Sequence, residues 1–202
     1  MALIAPYLPY DKLRAVAEEF LAKYHPSGDI PVPIERIVEF RFKLDIVPVP
    51  GLQDECDADA FITSDLSEIR VDQFIYKNRP ARYRFSLAHE LAHVLVHQDV
   101  FKELKFTTVA EWKAAISSIP EDQRNWIEWQ GYCLGGLILV PPQPLKDLFA
   151  TKCAEAKRAG VELRGAEDRL RKIVHSNMAK FFDVSSDVIV RRMNYDKLWT
   201  QS

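Results

Sequence analysis

A chain of 202 residues with 48% hydrophobic content can bury one good core, with room for a small subdomain at most. A net charge of −2 gives no global attraction to nucleic acid or to an anionic membrane surface. Seven glycines and twelve prolines carry no low-complexity signal, and no internal repeat is visible.

Residues 1–10 lack a basic start followed by an apolar core, so no secretory signal is expected. No window reaches the about 18 apolar residues that a membrane-crossing helix needs. Cys56, Cys133 and Cys153 are odd in number and form no Cys-x-x-Cys pair, which fits reduced thiols in a cytoplasmic protein.

Taken in order, residues 11–24 predict an amphipathic helix, with Leu13, Val16, Ala17, Phe20 and Leu21 on one face and Asp11 as its cap. His25-Pro26-Ser27-Gly28 breaks it. Residues 33–40 predict a second helix with Pro33 near its first turn. Residues 44–48 read as a strand, 54–59 as a polar turn, and 60–63 and 68–72 as two further strands around Asp65. The last of these alternates polar and apolar residues, as an edge or half-exposed strand does. If it borders a cleft, an extended peptide pairs with its backbone.

Asn78-Arg79-Pro80 starts a long helix, with Asn78 as cap, that runs to about His97. A polar connector follows. Helices are then predicted over 109–116, 121–139, 145–159, 167–182 and 186–198, with Pro120, Val140-Pro141-Pro142 and Gly160 as breaks and Ser186 as an N-cap. Helices, a small sheet, then helices only make an α+β protein. We expect a single domain over 1–202: N-terminal helices and sheet over 11–78, two long helices over 79–140, and a helical part over 141–202.

The chemistry sits in Ala88-His89-Glu90-Leu91-Ala92-His93. On a helix, positions i and i+4 share a face, so the imidazoles of His89 and His93 stand side by side, close enough to hold one metal ion. Two neutral nitrogens at this spacing suit Zn²⁺. Glu90 reaches to the side, where it suits a general base. A catalytic zinc takes three protein ligands, so a third is needed. His97, Asp99, Glu103, Glu111, Glu121, Glu128 and His175 are the downstream candidates. His97 lies two turns from His89 on a straight helix and is expected to cap or pack. Glu128 lies on an apolar helix among Trp126, Ile127, Trp129 and Tyr132, where a carboxylate needs a partner. That partner is a metal, or Glu128 is an exposed or salt-bridged position; the residues alone leave both open.

Three blocks resemble one family. Arg84-Phe85-Ser86-Leu87-Ala88-His89-Glu90-Leu91-Ala92-His93 with Val94 to His97 resembles the R-F-T-L-A-H-E-L-G-H-x-L-L-H motif of the ImmA/IrrE metallopeptidases. Glu128 to Pro141 resembles the family's E-x-[EQ]-A-N-x-F-A-x-x-L-L-M-P. Met178 to Ser185 resembles its closing L-A-x-x-F-x-V-S. The likeness covers roughly residues 11–195. It implies a zincin-like core with a small, mostly antiparallel sheet packed on the metal helix. It also implies Zn²⁺ held by His89, His93 and Glu128, with Glu90 catalytic. The implied activity is peptide hydrolysis in a protein partner, often a helix-turn-helix repressor of the phage or mobile-element type. The chain departs from the pattern at Gly131-Tyr132, Gly135 and Val140. Those departures motivate an alternative, a zinc scaffold of weak or no turnover that acts by binding as an antirepressor or toxin–antitoxin partner.

Tyr132, His175, Arg191 and Arg192 are the candidate donors to a developing oxyanion. Residues 151–202 hold 11 Lys and Arg against 7 Asp and Glu, and 167–182 with 186–198 faintly resembles a helix-turn-helix. An excess of that size is what a solvated helix face carries, so direct nucleic-acid binding is not expected.

Overall fold

The structure, a computed structural model, describes residues 5–163 and 167–200; residues 1–4 of the N-terminal reading lie outside it. The chain order is α1 (Tyr10–Tyr24), α2 (Ile34–Arg41), β1 (Asp45–Val49), α3 (Leu52–Cys56), β2 (Ala60–Ile62), β3 (Glu68–Asp72), α4 (Gln73–Asn78), α5 (Pro80–Val96), α6 (Gln98–Leu104), α7 (Val109–Ser118), α8 (Glu121–Leu139), α9 (Pro142–Arg158), α10 (Asp168–Phe182) and α11 (Ser186–Tyr195). This is the α+β arrangement the sequence implies.

The central layer is α5. Pro80 opens it where a missing N–H costs nothing. From Ser86 to His93 every residue is buried, because β2 and β3 pack on one side, α8 on another and α2 on a third. In turn, α8 carries α1 and α11. Its first turn holds Glu121 and Asp122, which suit the positive end of a helix dipole, and its second half is apolar and buried through Leu139.

The sheet differs from expectation in two ways. Its order is β1-β3-β2. β1 pairs β3 in parallel through Asp45 opposite Glu68, and β2 pairs β3 antiparallel through Phe61 opposite Arg70. It is therefore mixed rather than mostly antiparallel. The parallel pair arises because α3 and β2 intervene between β1 and β3, carrying the chain back to re-enter in the same direction. Nor is β3 an edge: it is the central strand, and its Ile69 and Val71 are fully buried. The edges belong to β1 and β2, and β2 is the one that lines the cleft through Ala60 and Phe61.

Three short helices were not expected. α3 fills most of the polar turn. α4 is capped by Asp72, whose carboxylate accepts from the Phe74 and Ile75 N–H groups. Asn78 therefore ends α4 instead of capping α5, and its side chain donates to the Phe74 carbonyl. α6 fills the polar connector. Likewise Pro9, not Asp11, precedes α1, and Ser185, not Ser186, precedes α11.

The first and last helices are tied through one buried carboxylate. Asp196 accepts from Arg14 Nη2 at 2.6 Å, from Tyr10 Oη at 2.9 Å and from Arg192 Nη2 at 3.0 Å. Arg192 also donates to the Val140 carbonyl that ends α8. Each buried charge here has its counter-charge and hydrogen bonds, the condition for burying it at all.

Candidate metal centre

Helical spacing does what the sequence implies. The Nε2 atoms of His89 and His93 lie 3.0 Å apart, with both rings buried. Glu90 is also buried, and its Oε1 stands 4.0 Å from His89 Nε2. The ligand-capable atoms of these three residues fall within 4.8 Å of one another. Glu128 arrives from α8, with Oε2 3.2 Å from His89 Nε2. Its side chain is 42% exposed and lines the cleft.

The other third-ligand candidates are engaged elsewhere. Glu111 accepts from Thr107 and Thr108 as the partner in a capping box on α7. His175 meets the indole N–H of Trp199. His97 ends α5, and its Nδ1 lies 3.0 Å from Nδ1 of His93. It touches the ring of a candidate ligand, a role the sequence does not reveal because it depends on the turn after Val96. Asp99 and Glu103 lie on α6, and Glu121 opens α8.

The close approach rests on two glycines. A Cβ on Gly131 would stand 2.8 Å from His89 Cε1 and 2.9 Å from His93 Cε1. One on Gly135 would stand 3.1 Å from the His89 backbone nitrogen. The departures from the family pattern at 131 and 135 thus mark where α8 takes the imidazoles and the α5 backbone directly against its own backbone.

The electrostatics follow from burial and pairing. Burial pushes the Glu90 carboxyl up to about 8, opposed by the charge of His89 and by the Ile62 N–H. That N–H, on the outer edge of β2, donates to Glu90 Oε2 at 2.9 Å, which fixes one oxygen and leaves the other toward the histidines. Burial opposes charge on His89, but the carboxylate of Glu128 outweighs it and raises His89 above the ordinary histidine value. Burial likewise opposes charge on Glu128, and the hydrogen bond to His89 more than offsets it. Burial holds His93 well below the usual range and His97 down to about 4.

The cluster fits a metal. The Nε2 atoms of His89 and His93 lie 3.0 Å apart and Glu128 Oε2 lies 3.2 Å from the former; two imidazoles and a carboxylate are the donor set of two-His, one-Glu zinc sites, which take Zn–N distances of about 2.0–2.1 Å. In the described chain His89 Nδ1 and His97 Nε2 are buried without a hydrogen-bond partner. The site opens onto a cleft of about 840 Å³, lined among others by Asp59, Ala60, Phe61, Arg82, Trp112 and Tyr132. Of the oxyanion candidates, Tyr132 and Arg191 line this cleft. His175 and Arg192 do not, since they serve Trp199 and Asp196.

A model of the Peptidase_M78 family, described as the IrrE N-terminal-like domain, matches residues 74–194. That span contains α5, α8 and every residue of the cluster. Among solved structures, the chain is similar to a Mycobacterium tuberculosis transcriptional regulator, at 16% identity and a TM-score of 0.52. The likeness covers 90% of this chain but 46% of the regulator, so the chain spans less than half of that protein's length, and at this identity the shared property is the fold. No curated protein matches the sequence. No helix among the described residues is long and apolar enough to cross a membrane.

Proposed function

The chain belongs to the Peptidase_M78 family of IrrE N-terminal-like domains, and on that premise we propose that it is a zinc-dependent endopeptidase. Its substrate in this proposal is a protein partner, of the transcriptional-repressor class. The observation that supports the reading is the group of His89, Glu90 and His93, whose ligand-capable atoms lie within 4.8 Å of one another, with a Glu128 oxygen 3.2 Å from His89 Nε2.

Zinc bound between His89, His93 and Glu128 would supply Lewis acidity, lowering the pKa of water and polarising the scissile carbonyl. The chain's own residues then divide the work. His89 and His93 present neutral nitrogens. Glu90, held by Ile62, takes a proton from the attacking water as the new C–O bond forms. It returns that proton to the amine as the C–N bond breaks.

Substrate backbone has a place to lie. Phe61 pairs with Arg70 on the inner side of β2, so by alternation the groups of Ala60 and the Ile62 carbonyl face outward over the cleft. An extended peptide can add to that edge; β2 takes the role the sequence suggests for β3. Next to the cleft, and sharing Phe85, Tyr132, Val188 and Arg191 with it, lies a smaller cavity of about 220 Å³ rimmed by Trp129 and Tyr195. It is below the about 300–1,000 Å³ of drug-sized sites and suits one large apolar side chain of the substrate. The regulatory setting draws on the family resemblance and on the regulator whose fold this chain shares. A cytoplasmic setting draws on the cysteine pattern of the sequence, three residues without a Cys-x-x-Cys pair.

The test is a mass-spectrometric search for cleavage of a co-expressed repressor, with Glu90→Gln as the control. Catalysis by Glu90 predicts a loss of roughly 10²- to 10⁴-fold in the variant; equal products from both proteins would remove Glu90 from the mechanism.

A further inference from the structure

His93 is held at both nitrogens. Its Nε2 faces His89 Nε2 at 3.0 Å, and its Nδ1 faces His97 Nδ1 at 3.0 Å. A neutral imidazole has one N–H and one lone pair. Across the His93–His97 contact, therefore, one ring donates and the other accepts. If His93 donates from Nδ1, its Nε2 carries the lone pair that a metal needs. If His97 donates, the proton of His93 sits on Nε2 and blocks that position.

The choice is made one residue further out. With Nδ1 committed to His93, the free atom of His97 is Nε2, which is buried and unpaired. Two polar side chains of α8 act on His97, Gln130 as a hydrogen-bonding group and Glu128 through its charge; Glu128 lies against His89, which leaves Gln130 for His97. Gln130 is fully buried, and neither its amide oxygen nor its nitrogen is paired in the described structure. A buried amide with no partner calls for an explanation. The two ends of the amide have opposite consequences. With its oxygen toward His97, it accepts Nε2–H, so His97 Nδ1 becomes an acceptor and His93 must donate. With its NH₂ toward His97, every proton in the chain moves to the other end.

We propose that Gln130, acting through His97, fixes the tautomer of His93 and so holds its Nε2 lone pair ready for the metal. Both are positioning residues, and the inference rests on the metal site proposed above. Acceptors of this kind orient a ligand ring, and their loss weakens metal binding by roughly 10–100-fold.

Two measurements test it. Nitrogen-15 spectra of the wild-type chain, metal-free and zinc-loaded, should place the proton of His97 on Nε2 and that of His93 on Nδ1. Zinc titration against a chelator should then separate the variants. Gln130→Leu, which removes the acceptor, and His97→Phe should both bind zinc roughly 10–100-fold more weakly. Gln130→Glu, whose ionised carboxylate can only accept, should keep the wild-type affinity at a pH where that carboxyl is ionised. A space-filling role for Gln130 would not distinguish Glu from Leu in this way. His97 protonated on Nδ1, or unchanged affinity in a folded Gln130→Leu chain, overturns the proposal. Should the leucine variant fail to fold, the wild-type tautomers decide. Should the wild type bind no zinc, the metal site fails, and the tautomers of the metal-free chain still decide the chain of protons.

Discussion

Gly131 and His89 meet backbone to ring: a Cβ at position 131 would fall 2.8 Å from Cε1 of His89, closer than atoms of this kind pack. An alanine in mid-helix normally stabilises by roughly 0.5–1 kcal/mol relative to glycine. Here it must displace the imidazoles of His89 and His93. Gly131→Ala is expected to weaken zinc binding at least about tenfold, in the range of disturbed ligand orientation, while the fold persists. Competition with a chelator measures it. Gly135→Ala meets backbone instead of a side-chain end, so it should lower the melting temperature as well.

The small cavity beside the cleft sets a second expectation. Val188 lines both spaces and comes from α11. Val188→Trp should fill the cavity and shift cleavage of a peptide library away from large apolar side chains toward small ones. An unchanged preference would separate the cavity from substrate recognition.

Acid should loosen one wall of the cleft before it loosens the core. Trp112 of α7 stacks on Phe61 of β2 at 4.8 Å, and α7 is capped by Thr108 and Glu111. The backbone N–H and hydroxyl of Thr107 and the N–H of Thr108 pull the Glu111 carboxyl down to about 2. A carboxylate depressed in the folded state adds stability above its unfolded value, 4.5 here, and loses it as pH falls through the folded value. Amide exchange in α7 should therefore quicken between about pH 4.5 and pH 2, and Glu111→Ala should flatten that dependence.

The long elements were legible because each repeats one physical signal. α8 spans Glu121–Leu139 as read, since Pro120 and Pro141 bracket an uninterrupted apolar pattern. His89, Glu90 and His93 were legible because the spacing of a helix turn is fixed. What was hidden depends on contacts between distant residues. β3 reads as an edge from its alternation, yet β1 and β2 cover both sides, and strand order is not written in any one strand. α3, α4 and α6 are each seven residues or fewer, too short for periodicity to show. Gly131 and Gly135 look like flaws in a helix until the rings and backbone of α5 are placed against them. His97 and Gln130 look like a helix end and a core polar residue until His93 lies between them and the site.

The proposed chemistry needs a metal held by His89, His93 and Glu128, and metal analysis tests that assignment most directly. Zinc content and affinity should be measured for the purified chain and for Glu128→Ala. We expect about one zinc per chain in the wild type, as a site with three protein ligands and one open position binds a single ion, and loss of that zinc in a variant that remains folded. A wild-type chain that takes up no zinc, or a Glu128→Ala chain that holds it as tightly, would contradict the assignment.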